Sequence, residues 1–265
     1  MNIALCLFGH LGSFIGKDVN IDKISPSISF ENYNKKILDK NHTDIFLHSW
    51  GIEHKENLLK LYEPKSYVIE QQIDFSDRSI NSFKNYENNI NKTNDGIKLD
   101  GQDNINENKD LIFRSQSRWY SNSKVLKILK EYKEKREVNY DWVIQIRLDL
   151  FFFKKINFKK LDQKYFYSPN RLHEQSIAIN DHYFISNYEN ALKFSGIFED
   201  SLNLSIRPTC AAKQYLDKKN IKHKTHFDVG IDFHLIRWVY KDKNKLKFKL
   251  KRLIKICLRI FGIIK

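Results

Sequence analysis

The chain repeats one pattern: an apolar run of strand length, a Gly or Pro stop, then a stretch with helical spacing. Residues 3–8 form the first run, closed by Gly9-His10-Leu11-Gly12. Residues 44–50 form the second, stopped by Gly51, and residues 66–70 the third, preceded by Pro64. Residues 141–149 form the fourth, with Val143, Ile144 and Ile146 as its β-branched core. Residues 28–41 fit a helix between the first two runs. Helical spacing returns near Leu111 and runs to about Val138, with Trp119, Val125, Leu126, Leu129 and Tyr132 on one side. Further strands are predicted over 164–168 and 181–186. Helices are predicted over 187–198 and, opening on Pro208, over 207–219; a short element follows at 227–239. Strands alternating with helices predict an α/β fold with a mostly parallel open sheet flanked by helices.

Two segments depart from the pattern. Residues 76–110 are rich in Asn, Asp, Lys and Gly, which predicts a polar surface insertion lying over the site. Residues 241–265 carry ten Lys/Arg against one Asp, so +9 of the net charge of +14 sits in the tail. Leu246, Leu250, Leu253, Cys257, Ile260 and Ile264 fall on one stripe at 3.6 residues per turn. Lys247, Lys251, Lys255 and Arg259 lie on the flanks and far side. That is a cationic amphipathic helix of the kind that lies on anionic membrane. The plain alternative is a helix whose stripe packs on the domain.

At 265 residues, 41% hydrophobic and 14% aromatic, the chain can bury a full core. The expected organisation is one domain over 1–240 and a basic tail over 241–265. Cys6, Cys210 and Cys257 are scattered without CxxC spacing, which points away from a zinc site or disulfide framework and toward a reducing compartment. The N-terminus lacks a basic n-region and reads as a first strand, not a signal peptide. There is no run of about 20 apolar residues to span a bilayer.

The fourth run ends on Arg147-Leu148-Asp149. Two residues apart on an extended chain, Arg147 and Asp149 share a face. Charges that end a buried strand of an α/β sheet stand where such folds hold ligands: Asp149 on a metal or a sugar, Arg147 on a phosphate. The alternative is a structural ion pair.

The ordered set of motifs resembles the bacterial and viral GT-A-like glycosyltransferases of surface polysaccharide synthesis. The matching pieces are residues 3–9 with their glycine loop, "DIFLHSW" at 44–50, "YEPKSYVIEQ" at 62–71 and "RSQSRWYSNSK" at 114–124. "DWVIQIRLDL" at 141–150 and "INDHYFIS" at 179–186 complete it. The resemblance covers roughly residues 1–200. It implies a GT-A-like, Rossmann-like fold and a nucleotide-sugar donor bound by the N-terminal half. It also implies a glycan or lipid-linked glycan acceptor of capsule or lipopolysaccharide type. Arg147-Leu148-Asp149 stands where that family carries an Asp-x-Asp-type motif, whose carboxylates hold Mn²⁺ or Mg²⁺ against the donor diphosphate. Asp149 is then the metal ligand, and Arg147, in place of the second carboxylate, neutralises the diphosphate by bidentate contacts.

Glycosyl transfer also needs a base for the acceptor hydroxyl in an inverting enzyme. Asp181, at a strand start, is a candidate for the acceptor contact or base, and a turn aspartate otherwise. Asp232 is a reserve base. Arg118 and Tyr120 are expected on a helix face near the donor; Arg114 reads as solvated. Gly9, His10 and Gly12 would let a nucleotide approach the backbone, although a plain strand-to-helix turn fits as well; Gly12 stands where a basic residue is expected. His48, His223, His226 and His234 read as packing or surface residues rather than metal ligands. The expected location is the inner face of the cell membrane, bound peripherally through 246–264. Two other classes stay open: a non-catalytic scaffold of the same fold, and a nucleic-acid-binding module using the basic tail. The second is disfavoured because the charge is not interleaved with aromatics.

Overall fold

A computed structural model of the chain describes residues 1–11, 25–38, 41–89, 105–170, 177–241, 253–254 and 256–257. In chain order the elements are β1 (Asn2–Gly9), α1 (Pro26–Tyr33), β2 (His42–Ser49), α2 (Lys55–Tyr62), β3 (Ser66–Ile69), α3 (Ser76–Asn89) and α4 (Ile105–Arg136). Then come β4 (Trp142–Arg147), β5 (Leu150–Phe152), β6 (Phe166–Asn170), β7 (Tyr183–Ser186), α5 (Tyr188–Phe194), α6 (Ile197–Asp200) and α7 (Pro208–Lys218). β8 (His223–Asp228), β9 (Phe233–Leu235) and α8 (Ile236–Lys241) complete the set.

Seven strands form one mixed sheet in the order β3-β2-β1-β4-β7-β6-β8. The first four run parallel, as the apolar runs predicted. β7 is antiparallel to β4 and β6, and β8 is again parallel to β6. β5 and β9 form a separate antiparallel pair.

β1 is central and buried on both faces, which is why its sequence is continuously apolar. Successive side chains alternate between two cores. Ile3, Leu5 and Leu7 pack with Tyr33, Leu58 and Tyr62 from α1 and α2. Ala4, Cys6 and Phe8 meet Val125, Leu126 and Leu129 of α4 on the other face. A third cluster joins Trp119 of α4 to Phe184, Phe194 and Tyr215 under β6 and β7. α4 contains no Gly or Pro, so nothing interrupts its backbone ladder. At about 1.5 Å per residue it is long enough to cross most of the sheet.

The stretch expected as a polar insertion over 76–110 is different. α3 occupies its start, packs against α4 and buries Phe83 with Ser79 and Ser82. α4 begins at Ile105, ahead of the expected start near Leu111. Residues 90–104 lie outside the described residues. The helix expected over 187–198 is two, α5 and α6, divided at Gly196.

The fourth run also stops early. β4 ends at Arg147, Leu148 and Asp149 turn, and β5 leaves for the second sheet. Side chains of α1 bracket that turn. Tyr33 Oη donates to the Arg147 carbonyl at 2.6 Å and accepts from the Leu150 amide at 3.2 Å. Asn32 makes both backbone bonds of Phe152, at 3.0 and 2.7 Å. The Ile236 amide donates to the Asp149 carbonyl at 2.8 Å, tying α8 to the same turn. With its backbone groups satisfied on both sides, the turn holds its two charged side chains rigidly.

Most of the predicted tail helix lies outside the described residues. Within it, Leu253 and Ile254 are helical and about half exposed.

Candidate functional site

A cleft of about 800 Å³ opens where β1, β2 and β4 end. Its walls include Gly9 and His10 after β1, Trp50 after β2, Arg118 of α4, and Arg147 and Asp149 after β4. The strand order runs one way from β1 to β3 and the other way from β1 to β4. The cleft therefore sits at the switch point, outside the carboxyl ends of parallel strands.

Arg147 and Asp149 meet in a bidentate pair. Nε donates to Oδ1 and Nη2 to Oδ2, both at 2.7 Å. The Asp149 side chain is 2% exposed and that of Arg147 29%. Burial alone would push the Asp149 carboxyl up, but the Arg147 guanidinium outweighs it and holds the group below the usual carboxylate range. The sequence reading placed these charges on one extended face; the structure joins them across a turn.

A second pair lies beside the first. Arg118 Nε is 2.8 Å from Asp181 Oδ2, with side chains 9% and 16% exposed. Burial lowers Arg118 to about 10, still charged at neutral pH. Burial favours neutral Asp181, yet Arg118, then His182 and Arg147, keep its carboxyl low and ionised. Asp181 thus reaches the cleft, as expected, but as the partner of Arg118.

Gly9 closes β1 at φ +94°. Its amide donates to Ser121 Oγ at 2.9 Å, and that oxygen lies 2.6 Å from His48 Nδ1. His48 Nε2 is 3.0 Å from Glu70 Oε1. Burial lowers His48 to about 4, so the ring is neutral at pH 7. The proton order follows: the Ser121 oxygen accepts from Gly9, its hydroxyl donates to Nδ1, and Nε2–H donates to Glu70. This chain anchors the first loop to α4 and to the strand end of β3. A Cβ on Gly9 would meet no atom within 4 Å, so substitution costs backbone strain and not a clash. Gly9→Ala is expected to lose about 1–2 kcal/mol in urea unfolding through the positive φ alone. An unchanged midpoint would show that the loop relaxes freely.

The remaining candidates separate. His10 lines the cleft, with Nε2 3.4 Å from Gln72 Oε1, and burial lowers its pKa. Tyr120 stands behind the wall: it stacks on Trp50 at 5.3 Å and packs on Phe75 and Phe198. Asp232 is not brought to the cleft. Its Oδ2 accepts from the Asp228 amide at 3.0 Å, which fixes the β8–β9 turn. Gly12 lies outside the described residues. Arg114, read as solvated, is exposed at the cleft rim and donates to the Asp110 carbonyl. Sequence reasoning missed Arg237 of α8, which enters the cleft near Asp149. It also missed Ser121 and Glu70; His48 was singled out only as a packing residue.

The expected metal ligand does not fit. Both oxygens of Asp149 accept from Arg147, and Asp181 is held by Arg118. The Arg147 cation already sits bidentate on Asp149, and a divalent ion on the same carboxylate would meet its charge at short range. Among the described residues no group of three or more His, Cys, Asp or Glu side chains gathers. What the cleft offers is guanidinium groups, backbone at a strand end and an aromatic wall.

No protein-family model matches the chain, and no curated protein matches it.

Proposed function

We propose that the chain is a GT-A-like glycosyltransferase. It transfers a sugar from a nucleotide-sugar to a surface-polysaccharide acceptor of capsule or lipopolysaccharide type. The observation that carries this reading is the gathering of Arg118, Arg147 and Arg237 in one cleft at the carboxyl ends of β1 and β4. A switch-point cleft is where α/β sheets bind nucleotides. Fixed cations there stabilise charge that develops on a leaving diphosphate.

In the transfer, the bond from the sugar C1 to the diphosphate oxygen breaks and the electron pair leaves with the nucleoside diphosphate. The acceptor oxygen forms the new bond to C1, and its proton passes to Asp181 if the reaction inverts. Asp181 is ionised and within the cleft, as a base must be. The Arg147–Asp149 pair fixes the strand-end geometry against which the donor lies.

The basic tail and the half-exposed Leu253 and Ile254 support peripheral attachment to an anionic membrane at its cytoplasmic face. Among the described residues, no helix is long and apolar enough to cross a membrane.

The test is turnover of nucleotide-sugars by Asp149→Asn and Arg147→Ala variants that remain folded. Loss in both supports the reading; near-normal rates in both would sink it.

A further inference from the structure

In a low-dielectric cleft an unmatched N–H is costly, so buried guanidinium donors that lack an acceptor point to where a ligand's oxygens sit. Arg147 spends one donor each of Nε and Nη2 on Asp149, and none of its nitrogens is buried without a partner. Arg118 is different. Its Nη2 is buried without a hydrogen-bond partner, and its Nε, although close to Asp181, is not aligned to donate well. Its guanidinium stands over the rings of Phe8 and Trp119, each at 5.2 Å to the centroid, which fixes its plane. Arg237 of α8 also lines the cleft, and its Nε is buried without a partner. Among the described residues, three carboxylates line the cleft: Asp149 and Asp181 are each paired with another arginine, and Glu53 lies 3.7 Å from His54. Arg237 adds a further positive charge near the Asp149 pair.

We infer that Arg118 and Arg237 form a metal-independent diphosphate site, with the Arg147–Asp149 pair acting as a rigid positioning element rather than as the phosphate ligand. This rests on the nucleotide-sugar reading above and deepens it. Guanidinium forks supply the charge-assisted bonds that a bridging cation would otherwise supply. The leaving diphosphate departs with its electron pair onto oxygens held by Arg118 and Arg237, so charge balances without another reactant.

The experiment is isothermal titration calorimetry of the full chain with a panel of nucleoside diphosphates, in EDTA and in Mn²⁺. One of them is expected to bind in EDTA with a Kd within about threefold of its Mn²⁺ value, because the ligand's charge is met by side chains. Arg237→Gln is expected to weaken that binding by about tenfold or more, a charged hydrogen bond being worth roughly that much. Arg118→Gln would leave Asp181 buried without its counter-charge, so Arg118→Lys is the informative variant: the charge stays, the fork is lost, and binding in EDTA falls about tenfold. Circular dichroism checks that each variant is folded. Binding seen only with Mn²⁺ would overturn the inference and leave the glycosyltransferase reading standing. So would wild-type affinity in both variants. No binding under either condition would overturn both.

Discussion

Asp149→Asn unfolds at lower urea, with a loss of about 2–4 kcal/mol, and keeps no more than about one hundredth of wild-type turnover. The stability loss follows from the geometry. The carboxylate is 2% exposed and takes two 2.7 Å bonds from Arg147. Removing one partner of a buried pair leaves the other charge uncompensated, which costs about 3–5 kcal/mol when burial is complete. Arg147 is 29% exposed, so water recovers part of that. The turnover loss comes from position. The turn that carries the pair is clamped by Tyr33, Asn32 and Ile236, so what moves when the pair is broken is the Arg147 guanidinium, which leaves its fixed place in the cleft. Misplacement by about 1 Å costs on the order of a hundredfold in rate. A double replacement, Arg147→Met with Asp149→Leu, separates the two effects. Apolar side chains of similar volume restore stability, often fully, while turnover stays low. Turnover that recovers with stability would mean that the pair serves the fold alone.

Stability also falls steeply between pH 6.5 and pH 4. Burial holds His48, His223 and His226 at about 4 and His182 at about 3. A histidine whose folded value lies below its unfolded one binds protons more readily in the unfolded chain. Its contribution is therefore complete above about pH 6.5 and is lost as pH falls toward the folded value. Each pH unit in that interval is worth about 1.4 kcal/mol per group. His48, with a side chain 0% exposed, contributes on the order of 3 kcal/mol. Protonation there also reverses the Ser121 bond: Nδ1–H then donates, and the Ser121 hydroxyl must turn away. Urea unfolding at a series of pH values measures the slope. His48→Gln is expected to flatten it by about one proton. Equal stability at pH 7 and pH 5 would contradict this.

What was legible in the chain follows from burial. β1, β2 and β4 are covered on both faces, so their sequences are mainly apolar, with Asp44, His48, Ser49 and Gln145 buried among them. α3 was not legible, because much of the face it buries is serine: Ser79 and Ser82 sit beside Phe83, and such a stripe reads as surface. In the first turns of α4, Lys109 and Asp110 are exposed, so no apolar stripe marks the helix start. The charges that end β4 stood out, since Arg147 and Asp149 close a run whose neighbours Ile144, Ile146 and Leu148 are all core residues. The pairing of Arg118 with Asp181 did not, because the sheet order that brings α4 to the start of β7 is a tertiary fact. Arg237 carried no local signal: a lone arginine in a short element looks solvated until its neighbours are known. Asp232 shows the converse. A conspicuous aspartate among histidines proved to hold a turn through Asp228.

The central claim is that the switch-point cleft binds a nucleotide-sugar. Its most direct test is a thermal-shift screen of the purified full chain against nucleotide-sugars, with Arg237→Gln in parallel. A ligand that binds only the folded state raises the midpoint by mass action. One nucleotide-sugar is expected to raise the wild-type midpoint clearly and that of Arg237→Gln much less. A flat response to every nucleotide-sugar would contradict the account and leave a scaffold of the same fold.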